Sequence, residues 1–141
     1  MNGRFFLDTN VFIYAFDTSA PAKARRALEL ICEAVETRKG IVSFQVVQEF
    51  FNVVLRRSSI PMTLGDAEQY LATVFRPLMV IHSSQALYGE ALRLSQRFRL
   101  PWYDSLIIAG AIEGQCNTLF SEDFQSGQRF GTLEIRNPFV V

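Results

Sequence analysis

The chain has 141 residues, 49% of them apolar, with 14 Lys and Arg balanced by 14 Asp and Glu. That is enough for one compact domain with a self-sufficient core, and it excludes a disordered chain. Zero net charge argues against a module that holds nucleic acid by bulk electrostatics alone, and Cys32, Cys116 and His82 lie too far apart to make a Cys/His zinc site.

The elements follow one another in an alternating order. Arg4 to Leu7 is a short apolar run that fits a buried strand. It is too short for the core of a signal peptide, and no run approaches the roughly 20 apolar residues of a membrane span, so a soluble cytoplasmic protein is the expectation. Ala22 to Lys39 reads as a helix, with Ala24, Ala27, Leu28, Ile31 and Val35 at helical spacing and Gly40 as its stop. Ile41 to Ser43 reads as a strand. Phe44 to Arg57 reads as a helix with a stripe of Val46, Val47, Phe50, Val53 and Val54. Thr63 caps a third helix running through Phe75, with Leu64, Ala67, Leu71 and Val74 on one side.

Leu78 to Ile81 is the next strand. Ser84 to Phe98 is an amphipathic helix with Leu87, Ala91, Leu94 and Phe98 inward, and Trp102 to Glu113 is apolar enough after Asp104 to be buried. Thr118 to Phe120 and Leu133 to Ile135 complete the strands. Short apolar strands alternating with helices predict a single α/β domain with a mainly parallel sheet. Such sheets place their sites at the carboxyl ends of the strands.

Two of those ends carry an aspartate: Asp8 after Phe5-Phe6-Leu7, and Asp123 after Thr118-Leu119-Phe120. Asp104 opens the buried helix. Taken singly, Asp8-Thr9-Asn10 also reads as a turn and helix cap, Asp104 as a carboxylate favoured by the helix dipole, and Asp123 as a loop residue. Glu49 shares a helix face with Gln45, Asn52 and Arg56 and also reads as solvated surface. Taken together, clustered carboxylates repel one another, and a divalent cation removes that cost. Oxygen-only ligands suit Mg²⁺ or Mn²⁺, which can activate water and steady a leaving oxygen in phosphodiester hydrolysis.

Four strings carry a family resemblance across nearly the whole chain: Phe6-Leu7-Asp8-Thr9-Asn10-Val11, then Ser43 with Gln48-Glu49-Phe50, then Trp102-Tyr103-Asp104-Ser105-Leu106-Ile107, then Leu119-Phe120-Ser121-Glu122-Asp123-Phe124. With Asn137-Pro138-Phe139 near the end, the sequence resembles PIN-domain proteins, and among them the VapC-like toxin ribonucleases of bacterial toxin–antitoxin pairs. The acidic quartet is intact, and Ser105 stands where many relatives carry Ala.

The resemblance implies a PIN-like three-layer sandwich, with a mainly parallel sheet of about five strands flanked by helices. It implies an acidic site of Asp8, Glu49, Asp104 and Asp123. Asp8 and Asp104 would be the direct ligands of Mg²⁺ or Mn²⁺, with Glu49 and Asp123 joining directly or through water. Asn10 and Ser121 would orient the carboxylates. It further implies RNA cleavage, an antitoxin partner and a homodimer. A catalytically silent RNA-binding or interaction module, a stand-alone RNA-processing nuclease and a receiver-like phosphotransfer domain stay open beside it. The receiver-like reading needs a lysine near the acceptor, and the chain has only Lys23 and Lys39.

Other residues divide between binding and packing. Arg25, Arg26, Arg56, Arg57, Arg93, Arg97, Arg99 and Arg129 read as phosphate contacts or as solvated helix faces, with Arg56 nearest substrate because it shares the face of Glu49. Trp102 and Tyr103 read as base-stacking or as packing residues. Phe12, Tyr14, Phe16, Phe51, Tyr70 and Phe75 read as a Phe-rich core or as a self-association or antitoxin surface. His82 reads as structural.

Overall fold

The structure, a computed structural model, describes residues 3–56, 60 and 62–140. The strands are β1 (Arg4–Leu7), β2 (Gly40–Ser43), β3 (Met79–Ile81), β4 (Cys116–Phe120), β5 (Arg129–Phe130) and β6 (Leu133–Arg136). They form one sheet in the order β3-β2-β1-β4-β6-β5. All neighbours run parallel except β5, which pairs antiparallel with β6 at the edge. The sheet thus has six strands where about five are expected. The additional β5 is two residues long, too short to leave a period-2 pattern, and it joins β6 through a tight turn where Gly131 takes φ 63°.

The helices are α1 (Thr9–Tyr14), α2 (Pro21–Thr37), α3 (Phe44–Val54), α4 (Leu64–Tyr70), α5 (Arg76–Leu78), α6 (Gln85–Phe98) and α7 (Trp102–Glu113), with a π-helical stretch at Leu71–Phe75. They cover the sheet on both faces. A Cβ on Gly40 would strike Ala34 of α2 and the Phe5 ring, while Gly110 of α7 lies over Ser43 and Phe6. Adjacent residues of β1 therefore point into opposite helical layers, as strand alternation requires.

Three expectations change at the element level. Gly40 does not end α2; Arg38 does, in the left-handed conformation at φ 61°, and Gly40 opens β2 where only a hydrogen fits beneath Ala34. Leu28 of α2 is exposed because its inward face is Ala27, Leu30, Ile31 and Ala34, small enough at Ala34 to let helix and sheet close up. Leu64 and Leu71 are exposed as well. The π-helical stretch inserts a residue's worth of rotation, so Ala67, Phe75 and Leu78 face inward instead. Thr63 caps α4 as expected, with a reciprocal box in which Asp66 N–H donates to Thr63 Oγ1 and Thr63 N–H donates to Asp66.

The aromatic surplus is mostly core. Phe12 meets Phe50 and Phe75, and Tyr70 stacks on Phe50 with centroids 5.3 Å apart. Phe16 and Phe51 pack at the border of the same group. Cys116 is buried, which pushes its thiol up to about 12, and Cys32 is exposed; both are free. Among the described residues no helix is long and apolar enough to cross a membrane.

Candidate active site

The sheet order carries the first indication of a site. The chain proceeds from β1 outward to β2 and β3, then returns to place β4 on the other side of β1. The carboxyl ends of β1 and β4 therefore flank the point where the winding reverses, and open parallel sheets leave a crevice there. Asp8 leaves β1 at that point, and Ser121 with Asp123 leaves β4.

The local chemistry binds the two strand ends together. Asp8 N–H donates to Phe120 O at 3.1 Å. The Asp8 carboxylate accepts from Thr9 N–H at 2.7 Å, capping α1, and from Ser121 Oγ at 2.6 Å. Ser121 Oγ in turn accepts from Asp123 N–H at 3.1 Å. One fully buried hydroxyl thus fixes both aspartate-bearing turns. The cap reading of Asp8 and its place in an acidic cluster coexist, because one oxygen serves each.

Glu49, on α3, is not free surface. It accepts from Thr9 Oγ1 at 2.6 Å and from Gln45 Nε2 at 3.3 Å. Gln45 is buried, and the same Nε2 donates to Tyr103 O at 3.0 Å, so α3 is laced to the start of α7 beside Asp104. A cleft of about 610 Å³ opens over this region, lined among others by Thr9, Asn10, Glu49, Asn52 and Asp123. Another cleft, of about 590 Å³, opens beside Cys116 and Phe130 at the other end of β4, where Glu90 is the one carboxylate among the lining residues.

Electrostatics links the quartet. Burial pushes the Asp8 carboxyl up to about 7 against the pull of the Ser121 and Thr9 hydrogen bonds, and the charges of Asp123 and Glu49 push it further. The Asp104 carboxyl is raised as well, first by burial and then by the same two neighbours. Asp8 and Asp104 are thereby linked through Glu49 and Asp123. None of the ion pairs among the described residues involves any of the four. Like charges gathered around a buried carboxylate without a counter-charge cost stability, and perturbed carboxyls beside a cleft mark functional sites.

The donor set tests what such a site accepts. Four carboxylates plus the buried, unpartnered Asn10 Oδ1 offer oxygen and no soft ligand, which matches a hard divalent cation. Ser43 Oγ and Gln45 Oε1 are likewise buried without a partner. As the side chains stand, no three of the described His, Cys, Asp and Glu residues are gathered closely enough to hold an ion. The chemistry of the donors fits a cation; their present spacing is looser than a closed coordination shell.

The remaining candidates fall around this centre. Arg56 donates to Asn52 Oδ1 at 3.4 Å, at the edge of the cleft. Arg93 pairs with Glu90 and Arg129 with Glu134, away from the acidic residues, and Arg97 lies over the Phe98 ring. Arg57 lies outside the described residues. His82 is exposed beside Leu71 and Met79. Tyr103 is exposed, so its packing reading fails, and Trp102 is at the border of exposure.

Several contributors escape a motif reading. Thr9 and Gln45 hold Glu49, and Gln45 was legible only as the residue one turn before it. Glu122 accepts from Tyr14 OH at 2.6 Å and from Lys23 Nζ at 2.7 Å, with Lys23 also over the Tyr14 ring. Lys23 is therefore committed to Glu122, which removes the lysine that a receiver-like domain would need beside Asp8.

Comparison with known proteins gives a consistent result. The family model described as the PIN domain matches residues 5–126. No curated protein sequence matches the chain. Among solved structures, a toxin–antitoxin complex from Klebsiella pneumoniae superposes with a TM-score of 0.69 at 17% identity, covering 96% of this chain and 98% of that one. VapBC2 from Rickettsia felis, bound to a DNA fragment from its promoter, gives 0.65 at 19% identity, with 94% and 96% covered. Mycobacterium tuberculosis VapC20, described as a toxin that cleaves the sarcin-ricin loop, gives 0.59 at 19% identity, with 84% and 89% covered. At these identities the likeness is one of fold.

Proposed function

Because this chain belongs to the PIN domain family, we propose that it is a single-domain, metal-dependent endoribonuclease whose acidic site is built by Asp8, Glu49, Asp104 and Asp123. The observation that carries this reading is electrostatic. Asp8 and Asp104 are both raised, first by burial and then by the charges of Asp123 and Glu49, and no described Lys or Arg pairs with any of the four. A Mg²⁺ or Mn²⁺ ion held by these carboxylates would supply the missing counter-charge and Lewis-acid chemistry for phosphodiester hydrolysis.

The chain's own residues have distinct tasks. Asp8 and Asp104 act as the principal ligands, with Glu49 and Asp123 completing the set directly or through water. Ser121 holds the Asp8 carboxylate by its 2.6 Å hydrogen bond and fixes the turn that carries Asp123. Thr9 and Gln45 hold Glu49 in the same way. Asn10 lines the cleft and carries a buried amide oxygen without a partner, which would help to orient the carboxylates. Arg56, at the rim, contacts a substrate phosphate.

Incubation of the purified protein with tRNA and rRNA, with Mn²⁺ or with EDTA, tests the reading. Cleavage requires the metal, and Asp104→Asn abolishes it while the fold persists. Cleavage by Asp104→Asn at the wild-type rate overturns the assignment.

A second reading, a silent PIN-fold binding module, draws on the loose spacing of the carboxylates and zero net charge. Under it, RNA binds without turnover at any Mn²⁺ concentration. Of the structures of like fold, one is described as a toxin–antitoxin complex and another as a toxin. On that ground we take the cellular role as a toxin inhibited by an antitoxin; a cytoplasmic location and a homodimer belong to the same proposal and rest on the sequence reading alone. A short reading frame immediately upstream supports this role; its absence favours a stand-alone RNA-processing nuclease.

A further inference from the structure

We propose that Tyr103, with Trp102 beside it, is a stacking platform for one unpaired nucleobase of the bound RNA; the inference rests on the nuclease reading for the course of the strand past Asp104. Tyr103 is 66% exposed although it sits directly before Asp104 in the first turn of α7. Among the described residues neither its ring nor its hydroxyl has a partner. Trp102 is 36% exposed and leans on Tyr88, itself 40% exposed, with centroids 6.3 Å apart. An exposed, unpartnered ring offers a flat apolar face on which a base can stack.

The backbone beneath the platform is tied to the acidic residues. Gln45 Nε2 donates both to Tyr103 O and to Glu49 Oε2, so one buried amide sets the distance between the exposed ring's backbone and the quartet. Tyr103 is thus the exposed aromatic next along α7 to a strand whose phosphate lies at Asp104.

Charge favours a nucleobase over other occupants. The chain carries no net charge, and its cleft is lined by acids rather than by Lys or Arg. Counterion release, the usual source of RNA affinity, is weak in such a protein. Stacking on an aromatic face supplies affinity without fixed positive charge, and it selects unstacked bases because a duplex hides both faces. A protein partner is the competing occupant, because Tyr88 and Leu92 of α6 are exposed beside Trp102; the response to Tyr103→Ala separates the two.

Two readouts on the full chain test this. In EDTA, binding of a fluorescein-labelled single-stranded oligoribonucleotide is measured by anisotropy for wild type, Tyr103→Ala and Tyr103→Phe. In Mn²⁺, KM and kcat are measured on oligonucleotides carrying an abasic site at each position around the cleavage point. Tyr103→Ala weakens binding and raises KM about tenfold, the size expected for one stacked base, while kcat moves less and Tyr103→Phe restores both. One abasic position produces the same loss in wild type and no further loss in Tyr103→Ala. Unchanged binding in Tyr103→Ala, or losses that add at every abasic position, overturns the platform and leaves these residues to a protein partner. Tyr103-dependent binding without cleavage under any metal condition keeps the platform and overturns the nuclease reading.

Discussion

Asp8 carries the largest electrostatic cost in the described chain. Its carboxyl sits at about 7 when folded, against 3.8 ordinarily, chiefly because it is buried. The raised value fixes the sign of the pH dependence. Below about pH 4 both folded and unfolded forms hold the proton, and Asp8 favours folding fully. As pH rises toward 7 only the folded form keeps it, and that contribution is lost, on the order of 4 kcal/mol for the metal-free protein. Thermal melts in EDTA should show a higher Tm at pH 5 than at pH 8, with Mn²⁺ restoring the difference at pH 8. Asp8→Asn should flatten the profile and raise the metal-free Tm at pH 8. Ser121 belongs to the same scale, since its hydroxyl serves both Asp8 and Asp123. Ser121→Ala should raise the Mn²⁺ concentration needed for half-maximal cleavage about 10- to 100-fold, read by metal titration of activity.

At the scale of elements, packing explains how the site is held. Gly40 lets β2 pass under Ala34 of α2, and a methyl group there meets backbone as well as side chain. Gly40→Ala should therefore destabilise the fold by about 1 to 3 kcal/mol in urea denaturation, the usual penalty of overpacking. The turn after β4 is tied from the far side by Glu122. Burial pushes the Glu122 carboxyl up, but the Lys23 ammonium and the Tyr14 hydroxyl outweigh it and leave the group lowered. Its contribution is present at neutral pH and lost on acidification, opposite in sign to Asp8. Glu122→Gln should weaken the hold on the Asp123 turn and raise the Mn²⁺ requirement, with a smaller effect in high salt because the pair is partly exposed. The elements themselves were largely legible: β1 and α7 match their expected bounds, and α6 begins at its Ser84 cap. The π-helical stretch and two-residue β5 were not. The first preserves an apolar sequence while rotating its face, and the second is shorter than any periodicity.

For the whole molecule, local sequence and global winding contributed different information. Periodicity, caps and turn residues act within a few positions, so the sequence by itself determined an alternating α/β chain, its strand-end aspartates and a buried helix opened by Asp104. It also confined the thiol and imidazole ligands to Cys32, Cys116 and His82, because that follows from residue types alone. Strand order was decided only in three dimensions. The reversal between β1 and β4 is a matter of long-range pairing, and it is what sets Asp8 against Ser121 across 113 positions of chain. The same holds for Glu49, whose surface reading was sound for an isolated helix until Thr9 and Gln45 closed on it. Burial is a property of the assembled layers, so the raised carboxyls of Asp8 and Asp104 and the exposed ring of Tyr103 come from tertiary structure, where desolvation and access to water are settled.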